Sequence, residues 1–356
     1  MSRLKNKKPN VPKANLEDYF VLVSGTPKVG KTSMFVELID KYFGDINKAM
    51  LIAFESGYKA SKVIAEDVED WPDFVDIVDE LVEEKDNLPY EYLGLDTADV
   101  MYRMAVKEVI KEWNMKNPQK RTTDIGGVGA KGKSDEGYGV GYDKAKEKVW
   151  TQLDRLRKAG YGLFVITHSK DKEITQRDGN KFDQLVVSLP GSARDVFVNE
   201  ADFIVFITSE KEKHGSEVIN KRYMYFRTDG YVEAGGRFTN VPERIEYSVD
   251  GFLDVFKNAI ESEFGDVKDI EKVKKEQQKE KEEKSKEYVE KEKAKKTANQ
   301  LVKEITAEIK TLSQEKKDDA KNKIVEVIGR PDYRQVDDVN MLEECLTKIK
   351  EVNADE

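Results

Sequence analysis

The stretch that decides the fold is residues 21–36, VLVSGTPKVGKTSMFV, in which an apolar strand leads through a glycine-framed loop into an apolar helix start. It carries the pattern Gly-x-x-x-x-Gly-Lys-Thr, with Gly25, Gly30, Lys31 and Thr32 at the fixed positions. Backbone N–H groups of such a loop, together with the dipole of the helix that follows, bind the β-phosphate of a nucleotide. A chance glycine turn would leave Lys31 unexplained, so the motif predicts a nucleoside triphosphate site.

The residues of this loop have predictable roles. Lys31 is expected to reach the β- and γ-phosphate oxygens, and the Thr32 hydroxyl is expected to bind Mg²⁺. The residues expected to surround the phosphates are Gly25, Thr26, Pro27, Lys28, Val29, Gly30, Lys31, Thr32 and Ser33.

Composition limits the remaining functions. The formal net charge of −9 and a charged fraction of 37% argue against nucleic-acid affinity over the whole surface, although local basic loops can still bind. A single cysteine excludes a disulfide framework, and Cys345 lies in an apolar stripe at helical spacing that predicts a packed thiol. Because the chain has no long apolar run and begins with a basic, polar segment, we expect a cytoplasmic protein without a membrane anchor.

The pattern along the chain predicts an α/β fold with a parallel-rich central sheet, since apolar strand-like runs alternate with amphipathic helical segments. We expect a basic disordered segment over 1–16 and an ATPase-type core over 17–262. Residues 263–298 are almost entirely Lys, Glu and Gln, which predicts a charged linker, either disordered or a solvated helix. Apolar periodicity returns over 299–356 and predicts a small all-α module of three helices, with Ser313 as an N-cap.

Three polar residues that follow apolar strands are candidates for companions of the loop. Glu55 ends the strand AMLIAFE, where a carboxylate can orient and deprotonate an attacking water, although a surface glutamate at a strand end is the alternative. Asp96, in EYLGLDT, is the candidate for the second Mg²⁺ contact. His168, in GLFVITH, is a candidate sensor of the γ-phosphate, or else a histidine satisfied by neighbouring backbone.

The order of these motifs carries a family resemblance. GTPKVGKT, AFESGYKA, GLDT and GLFVITHSKDKEI, over roughly residues 17–250, resemble the phage-encoded RecA-like ATPases of the single-strand annealing and recombination type, which are AAA-type nucleotide-binding proteins. The resemblance implies a RecA-like core, hydrolysis of ATP with Mg²⁺ and assembly as a ring or filament on single-stranded DNA. It also implies that Glu55 is the catalytic carboxylate, Asp96 the acid on the Mg²⁺ side and His168 the sensor.

The resemblance further indicates where DNA would bind, namely the segments that follow the Asp96 strand with its helix and the His168 strand. Both are rich in cations, and tyrosines in the first and Phe182 in the second offer surfaces for base stacking. Ordinary solvated loops are the alternative for each. The cationic candidates are Lys116, Lys120, Arg121, Lys131 and Lys133 in the first segment and Lys170, Lys172, Arg177 and Lys181 in the second.

If subunits assemble, a cation from a neighbour can complete the nucleotide site. Arg227 and Arg237 are the candidates for such a trans arginine, and a simple salt bridge is the alternative for each. The resemblance therefore implies a DNA-dependent phage ATPase in the bacterial host cytoplasm, with a C-terminal module expected to recruit a replication or recombination protein. The alternative is a loader or adaptor that uses nucleotide as a switch and mainly binds proteins; a small-molecule kinase is disfavoured because no lid signature follows Asp96.

Overall fold

A computed structural model describes residues 10–129, 139–214, 217–264 and 270–354. The chain divides into two compact units, 1–282 and 283–356. The first contains the phosphate-binding loop and the sheet, and the second is helical.

The first unit is built on one mixed sheet. In the part of the chain that the structure describes, its strands lie in the order β10-β8-β7-β1-β5-β4-β2-β3, with β6 paired to β5 and β9 paired to β7. The strands from β7 to β3 in this order run parallel, whereas β8 and β10 are antiparallel additions at one edge. The strands are β1 Phe20–Gly25, β2 Ala49–Ala53, β3 Ala65–Asp67, β4 Tyr92–Asp96, β5 Gly162–Thr175, β6 Lys181–Val187, β7 Phe203–His214, β8 Glu217–Tyr225, β9 Gly235–Gly236 and β10 Arg244–Glu246.

Helices cover the sheet, and the apolar parts of the strands are buried between them, as parallel sheets require. Phe35 of α1 and Phe252 of α6 belong to the same buried cluster as the apolar residues of β1. The helices are α1 Lys31–Leu38, α2 Trp71–Glu83, α3 Ala98–Lys116, α4 Val140–Lys158, α5 Gly191–Phe197, α6 Val249–Phe264, α7 Ile270–Thr311, α8 Gln314–Ile328 and α9 Val339–Ala354. The predicted α/β P-loop core with a helical C-terminal region is confirmed.

Strand order brings the candidate site residues together. β5 lies between β1 and β4, and its register pairs His168 with Gly25 on one side and Ile166 with Asp96 on the other. β2 is the next strand beyond β4, with Ala53 paired to Asp96. The carboxyl ends of these parallel strands therefore meet at one edge, which is the edge from which the phosphate-binding loop leaves β1.

The segment after His168 differs from the predicted loop. β5 continues through Thr175 and turns back as β6, so that Ser169 to Thr175 pair antiparallel with Lys181 to Val187. Most of this hairpin is exposed, so its strands lack the apolar run that marks a buried strand in the sequence. The backbone hydrogen bonds between its two segments, which a turn connects, are what make each segment a strand.

The ends of the first unit also differ from the boundaries that composition predicts. Residues 1–9 lie outside the described residues, but Ala14 and Leu16 of the expected disordered segment are buried. The first part of α7 packs on this segment, because the Gln277 side-chain amide accepts from Ala14 N (3.1 Å) and donates to Pro12 O (2.8 Å). The first unit consequently extends to 282, past the predicted core limit of 262.

The second unit has a core of its own. Of the two alternatives for the charged segment, the structure has the helix: residues 283–311 continue α7, and α8 and α9 follow. The side chains of Ile305, Ile324, Cys345 and Ile349 are buried together, so Cys345 is a packed thiol as predicted. Ser313 caps α8 by accepting a hydrogen bond from Lys316 N, which confirms the predicted N-cap.

Candidate nucleotide site

The loop between β1 and α1 has the backbone that its glycines suggest. Gly30 adopts a left-handed conformation (φ 106°) immediately before the first residue of α1, and Lys28 is also left-handed (φ 62°). At Gly25 a Cβ would lie 2.3 Å from the carbonyl oxygen of Ile207 on β7, so this position requires glycine for close approach of the neighbouring strand. The loop therefore presents main-chain N–H groups at the start of a helix, the arrangement that binds phosphate.

Lys31 points into this loop. Its Nζ lies 3.1 Å from the carbonyl oxygens of both Gly25 and Thr26, and the residue is 7% exposed. Burial lowers the pKa of the Lys31 ammonium, while the carboxylates of Asp96, Asp99 and Glu55 act in the opposite direction. A buried cation among three acids is suited to neutralise the charge of phosphate oxygens.

Thr32 and Asp96 form the pair of oxygens expected beside the phosphates. The Thr32 hydroxyl donates to Asp96 Oδ2 at 2.7 Å, and Asp96 is 4% exposed at the end of β4. Burial raises the pKa of Asp96, and the hydrogen bond from Thr32 partly offsets this. A hydroxyl in the first turn of α1 and a carboxylate this close to it are the hard oxygen donors that Mg²⁺ prefers, so these residues fit the ion that nucleotide sites use.

The main chain ties the Glu55 segment to the Asp96 strand. The N–H groups of Phe54 and Glu55 both donate to the carbonyl of Asp96, at 2.7 and 3.2 Å. These bonds hold the first residues after β2 next to the end of β4. The Glu55 side chain is thereby held at the same edge as Lys31 and Asp96.

Glu55, Asp99 and His168 form a cluster of titratable side chains, of which the sequence predicts Glu55 and His168 but not Asp99. His168 Nδ1 lies 3.1 Å from Asp99 Oδ1, while its Nε2 lies 3.8 Å from Glu55 Oε2. Asp99 stands in the first turn of α3, and Arg103, one turn later, lies 4.0 Å from Glu55 and 3.9 Å from Asp99. The ligand atoms of Glu55, Asp99 and His168 lie within 4.8 Å of one another, a set of donors that could also hold a metal ion.

The pair of His168 and Asp99 is electrostatically coupled. The hydrogen bond that the His168 ring donates to Asp99 raises the pKa of His168 above its ordinary value, and the charge of Glu55 acts in the same direction. Burial alone would raise the pKa of Asp99, but the hydrogen bond and charge of His168 hold it below its ordinary value. Each partner thus favours the charged form of the other, and the Nε2 side of the imidazolium faces Glu55.

The remaining candidates lie away from this cluster. Lys116, Lys120 and Arg121 are exposed where α3 ends, and Lys131 and Lys133 lie outside the described residues. Lys170 and Lys172 are exposed on the β5 arm of the hairpin, and Arg177 is exposed at its turn.

Arg227 and Arg237 both have partners within the chain. Arg227 donates to the carbonyl of Thr239, and Arg237 Nε lies 3.2 Å from Asp202 Oδ1. Asp202 also accepts from the N–H of Phe20, at the start of β1. This ion pair therefore lies at the amino end of β1, whereas the loop leaves its carboxyl end. The salt-bridge alternative therefore describes Arg237 within one subunit, and a role toward a neighbouring subunit stays a prediction.

Fold and site together define the class of this protein: a phosphate-binding loop, a Thr–Asp pair beside it and acids at the carboxyl edge of a mainly parallel sheet make an α/β P-loop NTPase. A model of the AAA domain family matches residues 17–238, which is more than half of the chain, and the chain belongs to that family. Its membership identifies an AAA-type P-loop ATPase that binds nucleotide. A search of curated proteins found no match.

A helix that crosses a membrane must be both long and apolar. Among the described residues, no helix satisfies both conditions.

Proposed function

We propose that the chain hydrolyses ATP and acts on single-stranded DNA in phage annealing, recombination or replication. The observation that supports the DNA part is the continuity of β5, which carries His168 beside the nucleotide site and Lys170 and Lys172 in the exposed hairpin. One strand thereby connects the site of hydrolysis with the hairpin face that carries Lys170 and Lys172.

For hydrolysis, the role of each side chain follows from its position in the nucleotide site. Glu55 orients the attacking water and accepts its proton, and Lys31 with the loop N–H groups neutralises charge on the phosphoryl oxygens. Thr32 and Asp96 would hold Mg²⁺, which when bound supplies a positive charge beside the β- and γ-phosphates. His168, held by Asp99, presents a cationic imidazole next to Glu55, where it distinguishes a triphosphate from a diphosphate.

For DNA, the hairpin has two unlike faces because side chains alternate along a strand and directly opposed residues share a face. Lys170 lies opposite Val186, Lys172 opposite Gln184, and Ile174 opposite Phe182. This face therefore combines cations with an aromatic ring, as single-stranded nucleic acid requires. The other face carries Asp171, Glu173, Asp183 and Lys181.

The test is the ATPase rate with and without single-stranded DNA, in the wild type and in a Lys170→Gln/Lys172→Gln variant. We expect DNA to stimulate the wild type, and the variant to lose stimulation and to show a DNA-binding salt slope lowered by about 0.7 for each lost phosphate contact. Lys181→Gln is the matched control: although the sequence offers Lys181 as a candidate, it pairs with Glu173 (2.7 Å) on the other face of the hairpin, so its loss should leave the stimulation unchanged. A wild type that DNA neither binds nor stimulates would exclude the proposal.

The proposed function includes association of subunits and recruitment of a protein partner. Subunits associate as a ring or filament, Arg227 or Arg237 contributes to a neighbour's nucleotide site, and the helical second unit recruits a replication or recombination protein in the host cytoplasm. The support for the last point is that the second unit has a separate buried core.

A second candidate is a nucleotide-switched loader that mainly binds proteins. It is favoured by a groove between α4 and α5 that contains Trp150 and has an excess of acids, some of which pair with Lys146 and Arg157, so it suits a basic protein segment. Binding of a protein partner that depends on ATP, together with an ATPase rate insensitive to DNA, would select this candidate. The groove is lined by Asp143, Lys146, Glu147, Trp150, Asp195, Val196 and Glu200.

A further inference from the structure

Two side chains from the antiparallel edge of the sheet contact the main chain of the phosphate-binding loop. Arg222 of β8 donates from Nη1 to the carbonyl of Val29 at 3.1 Å. Tyr247, which follows β10, donates its hydroxyl to the carbonyl of Gly30 at 3.2 Å, in addition to the bond of 2.9 Å that this carbonyl accepts from Met34 N in α1. The two bonds fall on consecutive peptide units, immediately before Lys31.

Arg222 and Tyr247 also hold each other. The guanidinium carbon lies 4.0 Å from the centroid of the Tyr247 ring, and the Tyr247 N–H donates to the Arg222 carbonyl at 2.8 Å. The ring packs against the main core cluster, and burial raises the pKa of Tyr247 to about 12, so its hydroxyl keeps the proton that it donates. The pair is therefore a supported structure and not two independent surface side chains.

The direction of these bonds matters for phosphate binding. In a trans peptide the N–H points away from the C=O, so fixing the carbonyls of Val29 and Gly30 also fixes the N–H groups of Gly30 and Lys31. These are the N–H groups expected to face the β-phosphate. The contact is also tight, since a Cβ on Gly30 would lie 2.7 Å from Arg222 Nη1.

We propose that Arg222 and Tyr247 are positioning residues that hold the loop in its phosphate-binding conformation by anchoring the carbonyls of Val29 and Gly30. This inference rests on the nucleotide site of the proposed function and is independent of the DNA role. Because the pair acts through the loop, it affects every ligand that places a β-phosphate there, whatever its base.

The test compares the affinities of the full chain for ATP, ADP and inorganic tripolyphosphate in Arg222→Gln, Arg222→Lys and Tyr247→Phe. Arg222→Gln should weaken the binding of all three ligands by one common factor of about ten- to a hundredfold, the effect of losing one hydrogen bond from a charged donor. Arg222→Lys keeps a donor but not the planar stack, so we expect an intermediate loss. Tyr247→Phe keeps the ring and should lose about two- to fivefold.

Arg244→Gln is the matched control. Arg244 lies on the adjacent strand, stacks over Tyr223 (4.4 Å) and bonds to Glu210 (2.8 Å) without contacting the loop, so its loss should leave all three affinities unchanged. Unchanged affinities in both Arg222→Gln and Tyr247→Phe would overturn the proposal. A loss confined to ATP and ADP, with tripolyphosphate unaffected, would also overturn it by assigning the pair to the nucleoside. A wild type that binds none of the ligands would instead remove the nucleotide site itself.

Discussion

At the scale of single residues, the nucleotide site separates groups that bind from groups that react. Lys31 Nζ is inside the loop, whereas Glu55 lies across the strand ends, bonded through its main chain to Asp96. Lys31→Ala should therefore weaken ATP binding and abolish turnover. Glu55→Gln should bind ATP almost as the wild type does but lower the hydrolysis rate by about 10²-fold or more, because it removes the base that activates water.

Nucleotide binding measured by titration, together with steady-state phosphate release, distinguishes these two effects. Hydrolysis at the wild-type rate by Glu55→Gln would show that another group activates water. Glu91→Gln is a suitable control, since Glu91 is an acid at the amino end of β4 that pairs with Lys48 and lies far from the loop.

The coupling of His168 to Asp99 predicts a pH dependence. The raised pKa of His168 means that its contribution to stability is present below the ordinary value of about 6.5 and is lost as pH rises through the raised value. The lowered pKa of Asp99 means that its contribution is present above about 3.8 and is lost as pH falls through the lowered value. The pair is therefore charged between these limits, and the other charges close to it are those of Glu55, Asp96, Arg103 and Lys31.

Asp99→Asn tests this coupling, because it removes the charge that keeps His168 protonated. The alkaline limb of the kcat–pH profile should move to lower pH in this variant, and the pKa of His168 followed by NMR should fall. Coincident profiles for Asp99→Asn and the wild type would contradict a cationic role for His168.

At the scale of elements, the sequence predicts those parts whose signal is local. The loop motif, the strand ends at Glu55 and Asp96, and the N-cap at Ser313 are each read from a few adjacent residues. Asp99 carries a weak local signal, since it is an acid in the first turn of the helix that follows the Asp96 strand. Arg222 carries none, because its contact with Val29 joins residues far apart in the chain and depends on β8 pairing at the sheet edge.

The first part of α7 is another element whose role depends on distant contacts. Its charged sequence predicts a linker that is either disordered or a solvated helix, yet Gln277 is 8% exposed and satisfies the buried N–H of Ala14. Gln277→Ala should lower the free energy of unfolding by about 1–3 kcal/mol, the cost of leaving that group unpaired. Gln278→Ala is the control, since that amide bonds only to Glu282 on the same helix among its described contacts. Equal unfolding midpoints for the two variants would show that this contact does not stabilise the unit.

At the scale of the whole molecule, composition changes near residue 262, while the packing of the first unit continues to 282. The difference arises because few contacts suffice to attach a charged helix when they are buried. Ile270 and Val273 pack against the main core cluster, and Lys281 lies 2.9 Å from Asp18 Oδ1 while also donating to the carbonyl of Glu17. A segment of polar composition can therefore contribute residues that complete a core, although its composition alone does not predict this.

This packing decides where the ATPase unit can be cut. A fragment of residues 1–282 should unfold cooperatively at nearly the midpoint of the full chain's first unit and bind ATP with unchanged affinity. A fragment of residues 1–262 loses the buried Phe264 at the end of α6 as well as Ile270, Gln277 and Lys281 of α7, so it should unfold several degrees lower, as expected for a loss of about 1–3 kcal/mol or more in a unit of this size. Calorimetry of both fragments beside the full chain measures this difference, and equal midpoints would show that the core ends at 262 and that the first part of α7 adds nothing to its stability.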